Sequence, residues 1–135
     1  MDRLERIGVS LSSDLLSDFD KLIKKQGYDN RSQAIGDLIR KSISEQKLQN
    51  PKAQAFAAVC MVYDHHATKL MKKMTDLQHT HLLQTVCSTH VHLNEHDCME
   101  VIVLKGQVSR INKLADNIIS LKGGKLGKVN IVTAD

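Results

Sequence analysis

Residues 6–11 alternate strictly, with Ile7, Val9 and Leu11 on one face and Arg6, Gly8 and Ser10 on the other. A period of two predicts a short, half-buried strand. The period then changes. Ser13 is placed to cap a helix with Leu15, Leu16, Phe19, Leu22 and Ile23 on one side, and Gly27 to end it. Asn30 can cap a second helix whose apolar stripe is Ala34, Ile35, Leu38, Ile39 and Ile43. A unit of one strand and two helices, without a disulfide or metal pattern of its own, buries too little surface to stand alone. Its lone strand also has unpaired edges. Pairing two copies strand to strand removes both problems, so this end predicts an obligate dimer.

The only proline, Pro51, lies in the polar run Lys47-Leu48-Gln49-Asn50-Pro51-Lys52. The residue before a proline resists helix. The predicted division is a first domain at 1–48, a linker at 49–53 and a second domain at 54–135. Beyond the linker, residues 55–63 read as a strand. Residues 65–77 read as a helix with Ala67, Leu70, Met71, Met74 and Leu77 inward. Strands follow at 86–93 and 99–104, separated by a turn at 94–97 and stopped by Gly106. A helix at 108–121 turns Ile111, Leu114, Ala115, Ile118 and Ile119 inward, and a last strand covers 128–133. The order βαββαβ is that of a ferredoxin-like domain, and the chain as a whole is expected to be α+β.

Composition narrows the setting. Apolar residues make up 41% of the 135, enough for a packed core, but aromatics are 3% and Trp is absent. The core must therefore be aliphatic and methionine-rich. No apolar run is long enough to span a bilayer. The first six residues carry acids and no apolar stretch, so no secretory leader is expected and the cytoplasm is the expected compartment. Three cysteines, Cys60, Cys87 and Cys98, are odd in number and widely spaced, which argues against a disulfide framework. Cys60 and Cys87 have apolar neighbours and read as small buried side chains. A net charge of +4 is too small to imply nucleic acid by itself.

The chemistry concentrates between His79 and Cys98, which hold His79, His81, His90, His92, His96 and two thiols, Cys87 and Cys98; Cys98, after a polar turn, is the candidate ligand. Imidazole and thiolate together suit nickel, copper and zinc. Strand periodicity puts His90 and His92 on one face as a two-point chelate. If the loop runs from Leu93 to Asp97, His92 lies opposite Cys98 and both project to the same side. Glu100 then projects there near His90, where a carboxylate can accept the spare imidazole N–H. Tyr63, at the end of the preceding strand, is a second candidate for such a supporting contact. A fourth ligand is needed to close the site. His79 or His81 could supply it, from the same chain or from a neighbour. Zinc in a tetrahedron and copper or nickel in a square plane all suit the set, and spacing alone does not choose. His65, His66 and His96 read as ordinary surface or core histidines.

These motifs carry a resemblance. They are Gly27-Tyr28-Asp29-Asn30-Arg31-Ser32 between the first two helices, Leu77-Gln78-His79, His90-Val91-His92-Leu93-Asn94-Glu95-His96-Asp97-Cys98-Met99-Glu100, and Val103-Leu104-Lys105-Gly106. Together they resemble the NikR family of nickel-responsive transcription factors over nearly the whole chain. The resemblance implies an N-terminal ribbon-helix-helix domain whose paired strands enter the DNA major groove. It implies an ACT-like C-terminal domain that builds a homotetramer, a dimer of dimers. It further implies one Ni2+ per subunit in a square plane, held by His90, His92 and Cys98 with His79 from the neighbouring subunit. Metal occupancy would favour operator binding and mainly repress nickel genes. Arg6, Gly8 and Ser10 would face the bases of double-stranded DNA, and the backbone amides near Arg31 and Ser32 would anchor a phosphate.

Three positions depart from the family pattern. Gly8 stands where a threonine is frequent, Gly36 where an arginine is, and Gln33 where a glutamate helps to build a second cation site, although Asp37 is kept. His81, beside His79, is the other candidate for a secondary metal contact. No Ser/His/Asp or paired-carboxylate arrangement stands out, so an enzyme is not expected. The competing reading is a metal buffer or chaperone without specific DNA activity.

Overall fold

The computed structural model describes residues 3–81 and 84–133, with the side chain of Thr68 excluded. Met1 and Asp2, part of the stretch read for a leader, lie outside it. The chain divides into two compact units, Met1–Ser42 and Ile43–Asp135. Among the described residues no helix is long and apolar enough to cross a membrane.

The first unit carries α1 (Ser13–Lys25) and the start of α2 (Arg31–Lys47). The cap of α1 is Ser12, whose side chain accepts a hydrogen bond from the Leu15 amide at 3.3 Å. This corrects the expected cap, Ser13, which is the first helical residue. The hydroxyl one residue earlier is the one that reaches the third helical amide. Gly27, with φ of 85°, ends α1. The Tyr28 amide returns to the Ile23 carbonyl and the Gly27 amide to Lys24, a closing motif that needs a left-handed residue. Asn30 caps α2 as expected, its side-chain oxygen accepting from the Gln33 amide at 2.8 Å.

The strand expected at 6–11 is absent from the single chain, where residues 3–12 have no regular structure. A strand exists only against a partner, and every strand among the described residues belongs to one sheet in the second unit. Ile7, Val9 and Leu11 are accordingly exposed.

The second unit has β1 (Gln54–Asp64), α3 (Thr68–Thr80), β2 (Thr85–His92), β3 (Asp97–Gln107), α4 (Val108–Ile119) and β4 (Gly124–Val132). This is the expected βαββαβ order. The sheet runs β2-β3-β1-β4, and each adjacent pair is antiparallel. β3 continues through Gly106, which pairs with Ala55, rather than stopping there. Its φ of 138° suits glycine and keeps the ladder going.

Alternation along β1 buries Ala55, Ala57, Val59, Met61 and Tyr63 on one face. Ile102 and Leu104 of β3 continue that face. Val108, Ile111, Leu114, Ala115 and Ile118 of α4 recur at helical spacing and pack onto it, with Leu70 and Met74 of α3. Each large aliphatic side chain buried here contributes roughly 1.5–3 kcal/mol. The linker is tied to this unit: the Ser109 amide donates to Pro51 and the Val108 amide to Ala53.

The far face of the sheet leaves apolar side chains exposed among the described residues. Phe56, Val91, Leu126 and Val132 are exposed there. Cys87 shares that face, pairing with Val103, and is exposed, while Cys60 is half-buried. The expectation that both were buried fails because α3 and α4, the described helices that pack on this sheet, lie on its other face.

Candidate metal centre

The β2–β3 connection sets the register on which the site depends. The Leu93 amide donates to the Asp97 carbonyl at 2.9 Å, and the Asn94 side-chain oxygen accepts from the amides of His96 and Asp97, both at 2.8 Å. Lys125 of β4 pairs with the Asp97 carboxylate and fixes the turn from the other side. With the turn fixed, His92 pairs with Cys98 and His90 with Glu100.

Those four side chains therefore share one face, the face that carries the core. β2 is an edge strand, so His90 and His92 are exposed, whereas Cys98 is fully buried beside Tyr63. The donor atoms of His90, His92 and Cys98 all lie within 4.8 Å of one another. Cys98 Sγ and His92 Nδ1 are 3.4 Å apart. Nitrogen and sulfur donors bound to one ion are about 3.1 Å apart at a right angle and about 3.6 Å apart in a tetrahedron, given ordinary bond lengths. The donor set thus fits a late first-row ion in chemistry and in spacing.

Tyr63 supplies the supporting contact. Its hydroxyl lies 3.0 Å from His90 Nδ1. Burial, then the carboxylate of Glu100 and the Cys98 sulfur, push its pKa up to about 12, so the phenol stays neutral. When His90 carries its proton on Nδ1 and donates it to Tyr63, Nε2 is left with a free lone pair. Glu100, expected to take this contact, instead accepts a hydrogen bond from the Ser88 hydroxyl at 2.8 Å. Of the two candidates named from the sequence, Tyr63 makes the contact, reaching the hairpin from β1, two strands away. Burial, followed by the Asp64 and Asp97 carboxylates, raises the pKa of the Cys98 thiol. A metal would therefore displace a proton from sulfur on binding.

The remaining candidates are placed as follows. His79 sits in the last turn of α3 and is exposed, outside the three-donor group of the single chain. His81 is half-buried just past α3, and its carbonyl accepts from the Gln84 and Thr85 amides. Arg6, Gly8 and Ser10 are exposed. The Arg31 guanidinium makes two 2.8 Å hydrogen bonds to the Asp20 carboxylate, which holds the Asp20 pKa below the usual range. Arg31 and Ser32 open α2, and both are exposed. The Asp37 carboxylate accepts from the Tyr28 hydroxyl at 2.8 Å and from Arg40.

A family model described as the NikR C-terminal nickel-binding domain matches residues 56–132, a span that takes in the whole hairpin. The chain belongs to the NikR family. Its relatives include candidate nickel-responsive regulators. The protein of Trichlorobacter lovleyi is 45% identical over 99% of this chain and 96% of its own. That of Solibacter usitatus is 44% identical over 98% and 96%, and that of Pyrococcus furiosus 43% identical over 95% and 93%. NikR relatives thus cover the first unit as well as the second. The NikR family is one of regulators, not enzymes.

Proposed function

We propose that the protein is a nickel-dependent DNA-binding transcriptional regulator, mainly a repressor, of nickel uptake and homeostasis genes in the cytoplasm. The observation that carries this reading is the convergence of His90, His92 and Cys98 inside the part of the chain that matches a nickel-binding domain. In this reading, residues 1–48 form a ribbon-helix-helix domain, 49–53 a linker and 54–135 an ACT-like domain. His90, His92 and Cys98 hold one Ni2+ per subunit in a square plane, and the partner subunit's His79 closes the set. Tyr63 orients His90, while Glu100 lies in the surrounding shell. Bound nickel supplies a crosslink between subunits.

Two surfaces support a homotetramer. Leu22, Leu38 and Ile39 of the helix pair are exposed, as are the apolar residues on the far face of the sheet. A ligand set shared between subunits ties metal occupancy to quaternary arrangement, and a ligand that prefers one arrangement raises its population. Pairing residues 6–11 of two copies would turn Ile7, Val9 and Leu11 inward and present Arg6, Gly8 and Ser10 to the major groove of double-stranded DNA. Because Asp20 occupies the Arg31 guanidinium, the backbone amides of Arg31 and Ser32 are the phosphate anchor at the start of α2. His81 and Asp37 are the secondary cation positions. At Asp37 an incoming cation has to displace Arg40.

The test is selection from random duplex DNA at fixed salt, with and without nickel. A sequence enriched only with nickel is expected, and Arg6→Ala should remove that enrichment while nickel still binds. No enrichment in either condition would make the protein a metal binder without specific DNA activity.

A further inference from the structure

One end of the sheet gathers three segments: the end of β1, the turn between β2 and β3, and the start of β4. We propose that Lys125, at the start of β4, is a positioning residue of the metal centre. It holds the β2–β3 turn, and with it His92 and Cys98, in place before an ion arrives. This deepens the nickel reading above and rests on it.

The backbone sets Lys125 apart. β4 pairs with β1 in even register from Phe56–Val132 to Val62–Leu126, and then Tyr63 pairs with Gly124. Lys125 is the residue left over, the extra member of a bulge. A bulge takes a residue out of the ladder and re-aims its side chain, and bulges recur beside functional sites for that reason. Here β1 lies between β4 and β3, and the Lys125 side chain spans its end to pair with Asp97. Asp64, the last residue of β1, is the other carboxylate that attracts it.

Asp97 is where such a pull reaches both ligand-bearing strands. It directly precedes Cys98, and its carbonyl accepts at 2.9 Å from the amide of Leu93, which directly follows His92. One carboxylate oxygen takes Lys125, and the other accepts from the Asn94 side-chain amide at 3.2 Å. Asn94 in turn accepts from the amides of His96 and Asp97. A second anchor comes from the end of β1, where the His65 amide donates to the His96 carbonyl at 2.8 Å. Two holds from outside the hairpin, one ionic and one through the backbone, thus act on the same turn.

The ion pair adds little to folding. The Lys125 and Asp97 side chains are 50% and 25% exposed, and pairs open to solvent contribute little to stability. Its effect is on the freedom of the turn. β2 is an edge strand, and His92 and Cys98 form its last pair with β3 before the turn. Looseness in the turn therefore reaches the 3.4 Å spacing of Cys98 Sγ and His92 Nδ1 first. A donor pair that must be ordered by the ion binds it more weakly than one held ready.

The experiment compares the full-length parent with Lys125→Met, Lys125→Arg and Asp97→Asn. In metal-free protein, hydrogen exchange at the Leu93, His96 and Asp97 amides should quicken roughly tenfold in Lys125→Met and Asp97→Asn, while exchange in α4 and the melting temperature stay at parent values. Nickel affinity, read by absorption, should fall roughly tenfold in both, fall no further when the two are combined, and recover in Lys125→Arg. Turn exchange and affinity at parent values in Lys125→Met would overturn the proposal. So would a loss in Lys125→Arg as large as in Lys125→Met, or exchange that quickens equally in α4. A parent chain without a thiolate-to-nickel band would refute the nickel assignment instead, and the metal-free exchange would still decide whether Lys125 holds the turn.

Discussion

The C-terminal unit closes its core within one chain: Val59, Ile102, Leu104, Ile111 and Ile118 are all fully buried. In the N-terminal unit only Ile23 and Ala34 of the described residues are buried, while Leu22, Leu38 and Ile39 are 49%, 54% and 48% exposed. Yet the two units have equally regular apolar periodicity. The difference lies in how many layers each can stack. A sheet with two helices on one face makes a complete sandwich, whereas two helices without their strand cannot enclose a stripe. The metal hairpin sits on the self-sufficient unit, where its register holds before any partner arrives. The proposed DNA-reading strand sits on the unit whose apolar stripe is left exposed.

The largest effect is expected from truncating the closed core. Ile111→Ala should destabilise the C-terminal unit by about 2–5 kcal/mol in chemical denaturation, at any protein concentration. Ile39→Ala should act differently, with a cost that grows as protein concentration rises through the range where two copies associate. A concentration-independent cost at Ile39 would remove the distinction between the units.

Next in size, Tyr63→Phe should lower nickel affinity roughly 10–100-fold by freeing the His90 ring, without shifting the thiolate absorption band. An unchanged affinity would show that the rigid hairpin alone orients the ligand. The third effect is on pH. The Cys98 pKa is raised, so at neutral pH the thiol is protonated and must lose its proton to bind metal. Nickel affinity should therefore rise with pH by about tenfold per unit until the thiol titrates, and level off above that. A flat profile across neutral pH would contradict the buried, protonated thiol.

The smallest effect belongs to the open unit. A Cβ at Gly36 would meet only the flexible Arg40 guanidinium, at 3.5 Å. Gly36→Ala should stabilise α2 by roughly 0.5–1 kcal/mol. Destabilisation, read by thermal melting, would reveal a close neighbour supplied by the second copy.

Much of this was readable from residue order. The four C-terminal strands and both of their helices follow from apolar periodicity. The register that faces His92 with Cys98 follows from a polar turn of fixed length. Other features depend on contacts between distant segments. The Tyr63–His90 contact joins residues from β1 and β2, so no local spacing encodes it. The exposure of Cys87 and the missing strand at 6–11 have one cause. Apolar alternation reports that a face will be covered, but not whether the cover comes from the same chain.

The most direct test of the account is the absorption spectrum of the full-length protein during nickel titration, recorded beside that of Cys98→Ser. Intense sulfur-to-nickel charge-transfer bands that saturate at one ion per chain and vanish in Cys98→Ser are the predicted result. Weak bands from octahedral nickel, identical in both proteins, would mean that the buried thiol is not a ligand and that the hairpin is not the nickel site.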